Sequence, residues 1–183
     1  LALPVITRLY LPQHFGVLAV YAGIVAILAV IACLRFENAI PLPRSERAAV
    51  QVAVAAFVSL LGVTALTALV GLIFANLLPA DVEGLSRPVF VALIAIGVLG
   101  SGFYQIGMSW SVRSKNFSLI GKTRFQQSVV GTATQLGMGA AGLGAIGLIA
   151  GQLLSQAAGF LALTRTLAQH ILGSISAISS HRR

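Results

Sequence analysis

Polar side chains recur at helical spacing within otherwise apolar stretches of this chain. A first row consists of Ser101, Gln105, Ser109 and Arg113. A second row consists of Arg124, Gln127 or Ser128, Gly131 and Gln135. A third, shorter row consists of Gln152 and Gln156. Residues three or four positions apart share one face of a helix, so each row predicts a polar stripe. Amides and hydroxyls donate and accept hydrogen bonds, so the chemistry expected of these stripes is binding.

The sequence offers no arrangement of nucleophile, base and acid. His14, His170 and His181 lie in a turn and in the C-terminal tail, without the spacing of metal ligands. The segment 107–110, Gly-Met-Ser-Trp, lacks the second glycine of a serine nucleophile motif. The single cysteine, Cys33, rules out a disulfide within the chain and is interpreted as a packing residue. We therefore expect no enzyme activity, no cofactor and no metal site.

The elements that carry these stripes are long uncharged runs. The chain has 12 Lys and Arg and 4 Asp and Glu, so 9% of its residues are charged, against about a quarter in soluble domains. The uncharged runs are Leu9–Leu34, Ala48–Ala80, Pro88–Val112 and Phe125–Thr164. Eighteen or more apolar residues are typical of a membrane span. Very apolar buried helices of a soluble protein are the alternative, which four such runs in one small chain disfavour.

Length divides these runs into membrane spans. The predicted spans are about 1–10, 15–34, 48–78, 89–112, 126–142 and 143–164. The first is a stub, because the chain begins inside an apolar segment that lacks the basic start of a signal peptide. The forty-residue run is too long for one helix across a hydrocarbon core of about 30 Å, so we expect a break in its glycine-rich centre. Residues 166–183 are predicted to form a cytoplasmic or interfacial tail.

Positive charge predicts how the spans are oriented. If alternate loops share a side, ten of the 12 basic residues fall together. They are Arg35, Arg44, Arg47, Arg113, Lys115, Lys122, Arg124, Arg165, Arg182 and Arg183. The positive-inside rule places that side in the cytoplasm. The net charge of +8 is thus explained by orientation and by contact with anionic membrane lipids. Nucleic acid is excluded as a partner, because the basic residues form no single stripe with interleaved aromatic residues.

Polar groups within hydrocarbon require partners, either on neighbouring helices or in a wet cavity. Hydrogen bonds between helices are one interpretation of the glutamines. A water-filled cavity is favoured, because two of the stripes run toward cytoplasmic arginines that suit an anionic, phosphate-bearing substrate. The substrate-path candidates are Arg8, Arg35, Gln105, Arg113, Arg124 and Gln135. Arg8 is the first choice among these candidates, because it lies near the end of a span on the side of the membrane that is otherwise poor in positive charge.

Small residues also recur at four-residue spacing and predict close packing of helices. One row is Gly147, Gly151, Ser155 and Gly159. A similar row on the second span is Ala19, Gly23, Ala26 and Ala29. We interpret both as packing faces within the chain, with a homodimer face as the alternative.

Four segments together resemble a known transporter family. They are Thr7–Gly16 with the sequence TRLYLPQHFG, Leu34–Arg44 with LRFENAIPLPR, and the pair Ser101–Gln105 and Gln127–Gly131 with SGFYQ and QSVVG. In order and spacing these segments are similar to the Wzx-type polysaccharide and O-antigen flippases of the multidrug/oligosaccharidyl-lipid/polysaccharide exporter superfamily. The resemblance covers about residues 2–165. It implies an all-α integral membrane fold, here a partial six-helix N-terminal bundle with a stub and five complete spans.

The resemblance further implies a function in the bacterial cytoplasmic (inner) membrane. Such proteins move undecaprenyl-pyrophosphate-linked oligosaccharides across that membrane for lipopolysaccharide or exopolysaccharide biosynthesis, using two bundles around a central cavity. Arg8 and Arg35 occupy family-like positions and are the candidates to meet the anionic pyrophosphate. A C-terminal bundle, missing from this sequence, is the expected partner. The alternatives are a multidrug/cation antiporter of the same superfamily, a polysaccharide polymerase or ligase, and a membrane scaffold without transport.

Overall fold

The structure, a computed structural model, describes residues 3–43, 45–74, 85–115 and 117–160. Within these ranges the chain is all-helical and has no β-strand. The helices are α1 (Leu3–Leu9), α2 (Pro12–Ala32), α3 (Glu46–Ile73), α4 (Arg87–Arg113), α5 (Phe117–Ala140) and α6 (Gly144–Phe160). A short 3₁₀ helix, Phe36–Ala39, lies between α2 and α3.

Local sequence sets where three of these helices begin. Pro12 is the first residue of α2, and Pro88 is the second residue of α4. The first backbone N–H groups of a helix have no partner within it, so a proline is tolerated there. The hydroxyl of Ser45 accepts a hydrogen bond from the backbone N–H of Ala48 at 3.3 Å and so caps α3.

The helices α2, α3 and α4 pack around an apolar core and also present apolar side chains outward. The core includes Tyr21, Val25, Leu60, Phe90, Ile94 and Val98. On the outer faces Val20, Ile27, Val54 and Leu69 are each more than half exposed. All three helices are long and apolar enough to cross a membrane. A helix that is apolar on every face is stable where lipid covers its outside. The chain is therefore a multi-pass integral membrane protein with the all-α bundle that the sequence predicts.

Side-chain hydrogen bonds tie the connections together at each end of the bundle. At one end the Arg113 guanidinium donates to the carbonyl oxygens of Ile40 at 3.3 Å and Pro43 at 2.6 Å. At the other end the Tyr10 hydroxyl donates to the carbonyl oxygen of Gln135 at 2.6 Å. The α2–α3 and α4–α5 connections therefore share one end, and the α1–α2 and α5–α6 connections share the other.

A turn at residues 141–143 divides the forty-residue uncharged run into α5 and α6. Gly142 has a φ of +74° there, in the left-handed region that glycine enters without steric cost. At its other end α5 begins at Phe117 and not at residue 126. Most of the loop predicted for 113–124 is thus helical. Lys122 and Arg124 are good helix formers, and the end of a span accommodates their charge.

One of the two small-residue rows packs within the bundle, and the other does not. Cβ atoms added at Gly147, Gly151 and Gly159 would each meet an α5 side chain, which confirms the packing face predicted on α6. On α2, by contrast, Ala19, Gly23 and Ala26 are exposed and only Ala29 of the predicted row is buried, so the predicted packing face is wrong for three of its four members. The buried face of α2 is instead formed by Tyr21, Val25, Ala29 and Ala32. Large side chains at Tyr21 and Val25 fill the interior and set the rotation of the helix.

Several predicted features lie outside the described residues. These are the end of the third span, most of the loop at 81–87, the end of the sixth span and the tail at 166–183.

Candidate functional site

The polar stripes of α4, α5 and α6 meet around a cavity of about 430 Å³. From α4 the cavity is lined by Ser101, Tyr104 and Gln105. From α5 it is lined by Gln127, Ser128, Gly131, Thr132 and Gln135. From α6 it is lined by Gly151, Gln152, Ser155 and Gln156. Sites for small molecules have volumes of about 300–1,000 Å³, so the cavity is large enough for one.

The small residues of α6 make room for the glutamines of α5. A Cβ added at Gly151 would meet the side chain of Gln135, and one at Gly159 would meet Gln127. Likewise, a Cβ at Gly131 of α5 would lie 3.0 Å from the Ser155 Cβ. Close approach of two backbones is what small residues permit in membrane helices. The packing row and the polar row are therefore two parts of one arrangement.

Two buried polar atoms of the cavity have no partner among the described residues. They are the Tyr104 hydroxyl and the Gln156 Oε1, for which residues 3–43, 45–74, 85–115 and 117–160 offer no hydrogen bond. In the described part of the chain, no side-chain amide of a cavity glutamine bonds to a neighbouring helix. A buried polar group without a partner costs about 1–3 kcal/mol, and in folded proteins such groups are almost always satisfied by protein or by ordered water. Water or a bound solute could satisfy both atoms, since the described part of the chain does not.

The lining is polar but carries no formal charge. None of the twelve lining residues is Asp, Glu, Lys, Arg or His. A second cavity, an apolar cleft of about 500 Å³ between α2, α3 and α4, provides a comparison. The polar side chain in this cleft, Thr67, donates to the Val63 carbonyl oxygen at 2.8 Å within its own helix. Unsatisfied polar groups thus distinguish the α4–α5–α6 cavity from this apolar cleft.

The structure brings two of the six predicted site residues into the cavity. Gln105 lines the cavity from α4, and Gln135 lines it from α5. Arg124 is exposed and precedes Gln127 and Ser128 by three and four residues in α5, which places it one turn away on the same face. The positive charge of Arg124 therefore lies one helical turn outside the lining, at the end of the cavity near the α4–α5 connection.

The other three predicted residues lie elsewhere. The Arg113 guanidinium is bonded to carbonyl oxygens of the α2–α3 connection, including that of Ser45 at 3.4 Å. Arg8 is exposed in the last turn of α1. Arg35 is exposed just after α2, and with a φ of 61° it adopts the left-handed conformation. Arg8 and Arg35 belong to connections at opposite ends of the bundle, so one phosphate group cannot bridge both side chains.

The polar rows predicted from the sequence omit four lining residues, which are Tyr104, Thr132, Gly151 and Ser155. Tyr104 follows Ser101 by three residues, so helical spacing alone places the two on one face. Because its ring is largely apolar, Tyr104 does not stand out in an uncharged run as the glutamines and serines do. Glu37 was also missed, because it lies in a polar connection; its side chain is only 4% exposed, and its Oε2 has no hydrogen-bond partner.

A family model described as polysaccharide biosynthesis protein matches residues 5–180. The chain belongs to this polysaccharide biosynthesis protein family. Neither a curated protein nor a solved structure gives a significant match. The family match includes every residue that lines the polar cavity. Membership in the polysaccharide biosynthesis protein family gives this membrane bundle a role in making polysaccharide.

Proposed function

We propose that this chain is the N-terminal bundle of a flippase for lipid-linked oligosaccharides. The substrate is an undecaprenyl-pyrophosphate-linked repeat unit, and the location is the bacterial inner membrane. The observation that carries the proposal is the polar cavity of about 430 Å³ inside a bundle with apolar outer faces. A hydrated glycan cannot enter hydrocarbon without losing its hydrogen bonds. A cavity with unsatisfied amides and hydroxyls offers replacements for them.

The family supports this choice among membrane functions. Polysaccharide repeat units are assembled on a lipid carrier and must reach the other face of the membrane. Transport requires binding and release without new covalent bonds, and amides and hydroxyls suit that task. The rocking of two bundles about a shared central site is a general mechanism for such transport. Under this proposal the chain supplies one wall of the pathway and is not an enzyme.

The exposed arginines supply a place for the pyrophosphate. Arg124 continues the cavity-lining face of α5 by one turn, so a ligand that fills the cavity has a cation within reach. Arg8 and Arg35 stand at the ends of α1 and α2, where they would meet the head group at successive stages of its passage. Arginine binds phosphate oxygens in a bidentate fashion. The glycan and the anionic head group would thus occupy different parts of the pathway.

Complementation of surface polysaccharide tests the proposal. The complete gene that contains this chain is deleted and restored with wild type, Arg8→Ala, Arg35→Ala or the double variant. We expect each single variant to reduce surface polysaccharide and the double variant to reduce it at least about tenfold, equivalent to about 1.4 kcal/mol. Arg47→Ala is the matched control, because Arg47 is an exposed arginine in the first turn of α3. Unchanged polysaccharide in the double variant would contradict the role of these cations.

The location of the accumulated intermediate separates transport from polymerisation. In the deletion strain we expect lipid-linked oligosaccharide to accumulate on the cytoplasmic face. An impermeant lectin added to intact spheroplasts should then bind it only after the membrane is permeabilised. Lectin binding before permeabilisation would mean that the glycan crosses without this protein, as the polymerase and ligase alternatives predict.

A further inference from the structure

The α4–α5–α6 cavity has the chemistry of a site for a neutral, hydroxyl-rich group. Its lining combines side-chain amides with the hydroxyls of serine, threonine and tyrosine, all of which both donate and accept hydrogen bonds. A charged group enters a site of low dielectric constant at high cost unless an opposite charge faces it. The lining provides no such charge.

Two atoms of the lining define where such a ligand would bond. The Tyr104 hydroxyl on α4 and the Gln156 Oε1 on α6 are both buried and without a partner. Gln156 Oε1 lies close to the α4 backbone, 2.8 Å from the position of a Cβ at Gly100. Gly100 leaves space for this amide next to the helix that carries Tyr104. The two groups therefore stand on facing helices, and both can bond to a ligand, because no described residue is their hydrogen-bond partner.

We propose that this cavity is a sugar subsite, which binds an uncharged sugar residue of the lipid-linked oligosaccharide. The inference rests on the proposed flippase function and specifies the part of the substrate that this bundle recognises. Tyr104 and Gln156 bond to sugar hydroxyls, and the remaining glutamines complete the contact. The pyrophosphate lies outside the lining, on the side of Arg124. The subsite thus binds the glycan, and the arginines bind the pyrophosphate of the lipid carrier.

Binding measurements with two lipid probes test this assignment. The complete protein that contains this chain is purified into nanodiscs, as wild type, Tyr104→Phe, Gln156→Met and the control Gln126→Met. Gln126 is exposed on α5 and does not line the cavity. The first probe is the undecaprenyl-pyrophosphate-linked oligosaccharide extracted from the host strain. The second probe is undecaprenyl pyrophosphate without sugar.

We expect both cavity variants to bind the glycosylated probe about tenfold more weakly, the effect of one lost hydrogen bond. Their affinity for the sugar-free probe should equal that of wild type, and the control should bind both probes normally. Unchanged affinity for both probes would overturn the subsite and would mean that the cavity holds only water. An equal loss for both probes would also overturn it. Failure of wild type to bind either probe would overturn the flippase function and the subsite together.

The thermal stability of the ligand-free protein provides a second readout. Tyr104→Phe removes a buried hydroxyl that has no protein partner, so the Tm without ligand should stay the same or rise. The glycosylated probe should raise the Tm of wild type more than that of the variant, because binding stabilises the folded state by mass action. A lower Tm of the ligand-free variant would mean that the hydroxyl serves the fold, and it would overturn the proposed sugar contact.

Discussion

Arg113 illustrates how one side chain can hold a distant connection in place. Its guanidinium donates to the carbonyl oxygens of Ile40, Pro43 and Ser45. These carbonyls lie between the 3₁₀ helix and α3. The Ser45 carbonyl also accepts the first helical hydrogen bond of α3, from the Ala49 N–H, whereas those of Ile40 and Pro43 lie outside regular secondary structure and need donors. The planar fork of arginine presents several donors at fixed angles, whereas the lysine ammonium is a point charge. The position therefore depends on the guanidinium group and not only on positive charge.

We expect Arg113→Lys to lower the free energy of unfolding by about 1.5–3 kcal/mol, the range for hydrogen bonds to charged groups. Thermal unfolding of the purified protein in nanodiscs measures the change as a lower Tm. Arg47→Lys serves as the control and should change stability by less than about 0.5 kcal/mol, since Arg47 is exposed. Equal Tm values for Arg113→Lys and wild type would show that the three carbonyl contacts contribute no stability.

Sequence periodicity predicts some residues of the site and necessarily misses others. Gln105 and Gln135 are predicted to face the interior because their rows repeat at helical spacing, and both line the cavity. Arg113 belongs to the same row as Gln105 but bonds to residues 68–73 positions earlier in the chain. No local pattern encodes such a long-range pairing. The burial of Glu37 is equally invisible, because it depends on how α3 and α4 cover the α2–α3 connection.

At the scale of elements, the contact between α5 and α6 determines whether the cavity exists. The Gly151 position leaves space for the Gln135 side chain, and Gly131 lies next to Ser155. On α6 the small residues Gly151 and Ser155 both pack against α5 and line the cavity, next to Gln152 and Gln156. A larger side chain at a small position would separate the helices and widen the gap. The width of the cavity is thus set by backbone approach.

A disulfide between α5 and α6 tests this approach. The Cβ atoms of disulfide-linked residues lie about 3.5–4.5 Å apart, and a Cβ at Gly131 would be 3.0 Å from that of Ser155. A small separation of the helices therefore suits a bond. We expect Gly131→Cys with Ser155→Cys to form a disulfide in oxidised membranes, so that neither thiol is alkylated when mass spectrometry is performed after denaturation.

The control pair is Gly121→Cys with Ser155→Cys. A Cβ at Gly121 would have no described atom within 4 Å, so both thiols of this pair should remain free and be alkylated. Alkylation of both cysteines in the first pair as well would contradict the packing of α5 against α6.

The small-residue rows show where element packing can be read from sequence. The α6 row repeats every four residues and the α2 row every three or four, yet only the α6 row packs against another helix along its length. On α2 the larger buried residues, Tyr21 and Val25, decide which face turns inward. Small residues permit close contact, but the burial of large apolar side chains and the hydrogen bonds of polar ones determine the rotation of a helix. Spacing alone cannot rank these effects.

At the scale of the whole molecule, each end of the bundle gathers two connections. Arg113 ties the α4–α5 end to the α2–α3 connection, and Tyr10 ties the α1–α2 turn to α5. The uncharged runs and the break at Gly142 made the number and order of helices predictable. The start of α5 at Phe117 was not predictable, because charge marks the edge of a membrane and not the end of a helix. Helices extend beyond the hydrocarbon when their residues favour helix.

This arrangement predicts the sidedness of chemical labelling in intact cells. By the positive-inside rule, Ser114 lies on the cytoplasmic side and Gln13 on the opposite side, and both are exposed. We expect an impermeant maleimide to label Gln13→Cys in intact spheroplasts, and Ser114→Cys only after permeabilisation. The native Cys33 is buried and should contribute little background. Labelling of Ser114→Cys from outside would reverse the orientation proposed for the chain.

The cavity also has a consequence for how the protein is made. Its lining extends from Ser101 to Gln156, so the polar faces of α4 and α5 acquire their last wall only when α6 emerges from the ribosome. At about 5–20 residues per second, the 55 residues between those positions take roughly 3–11 s to synthesise. During that interval the insertion machinery must shelter the amides from acyl chains. Biogenesis of this bundle therefore includes an interval of several seconds in which the polar faces of α4 and α5 do not yet have α6 beside them.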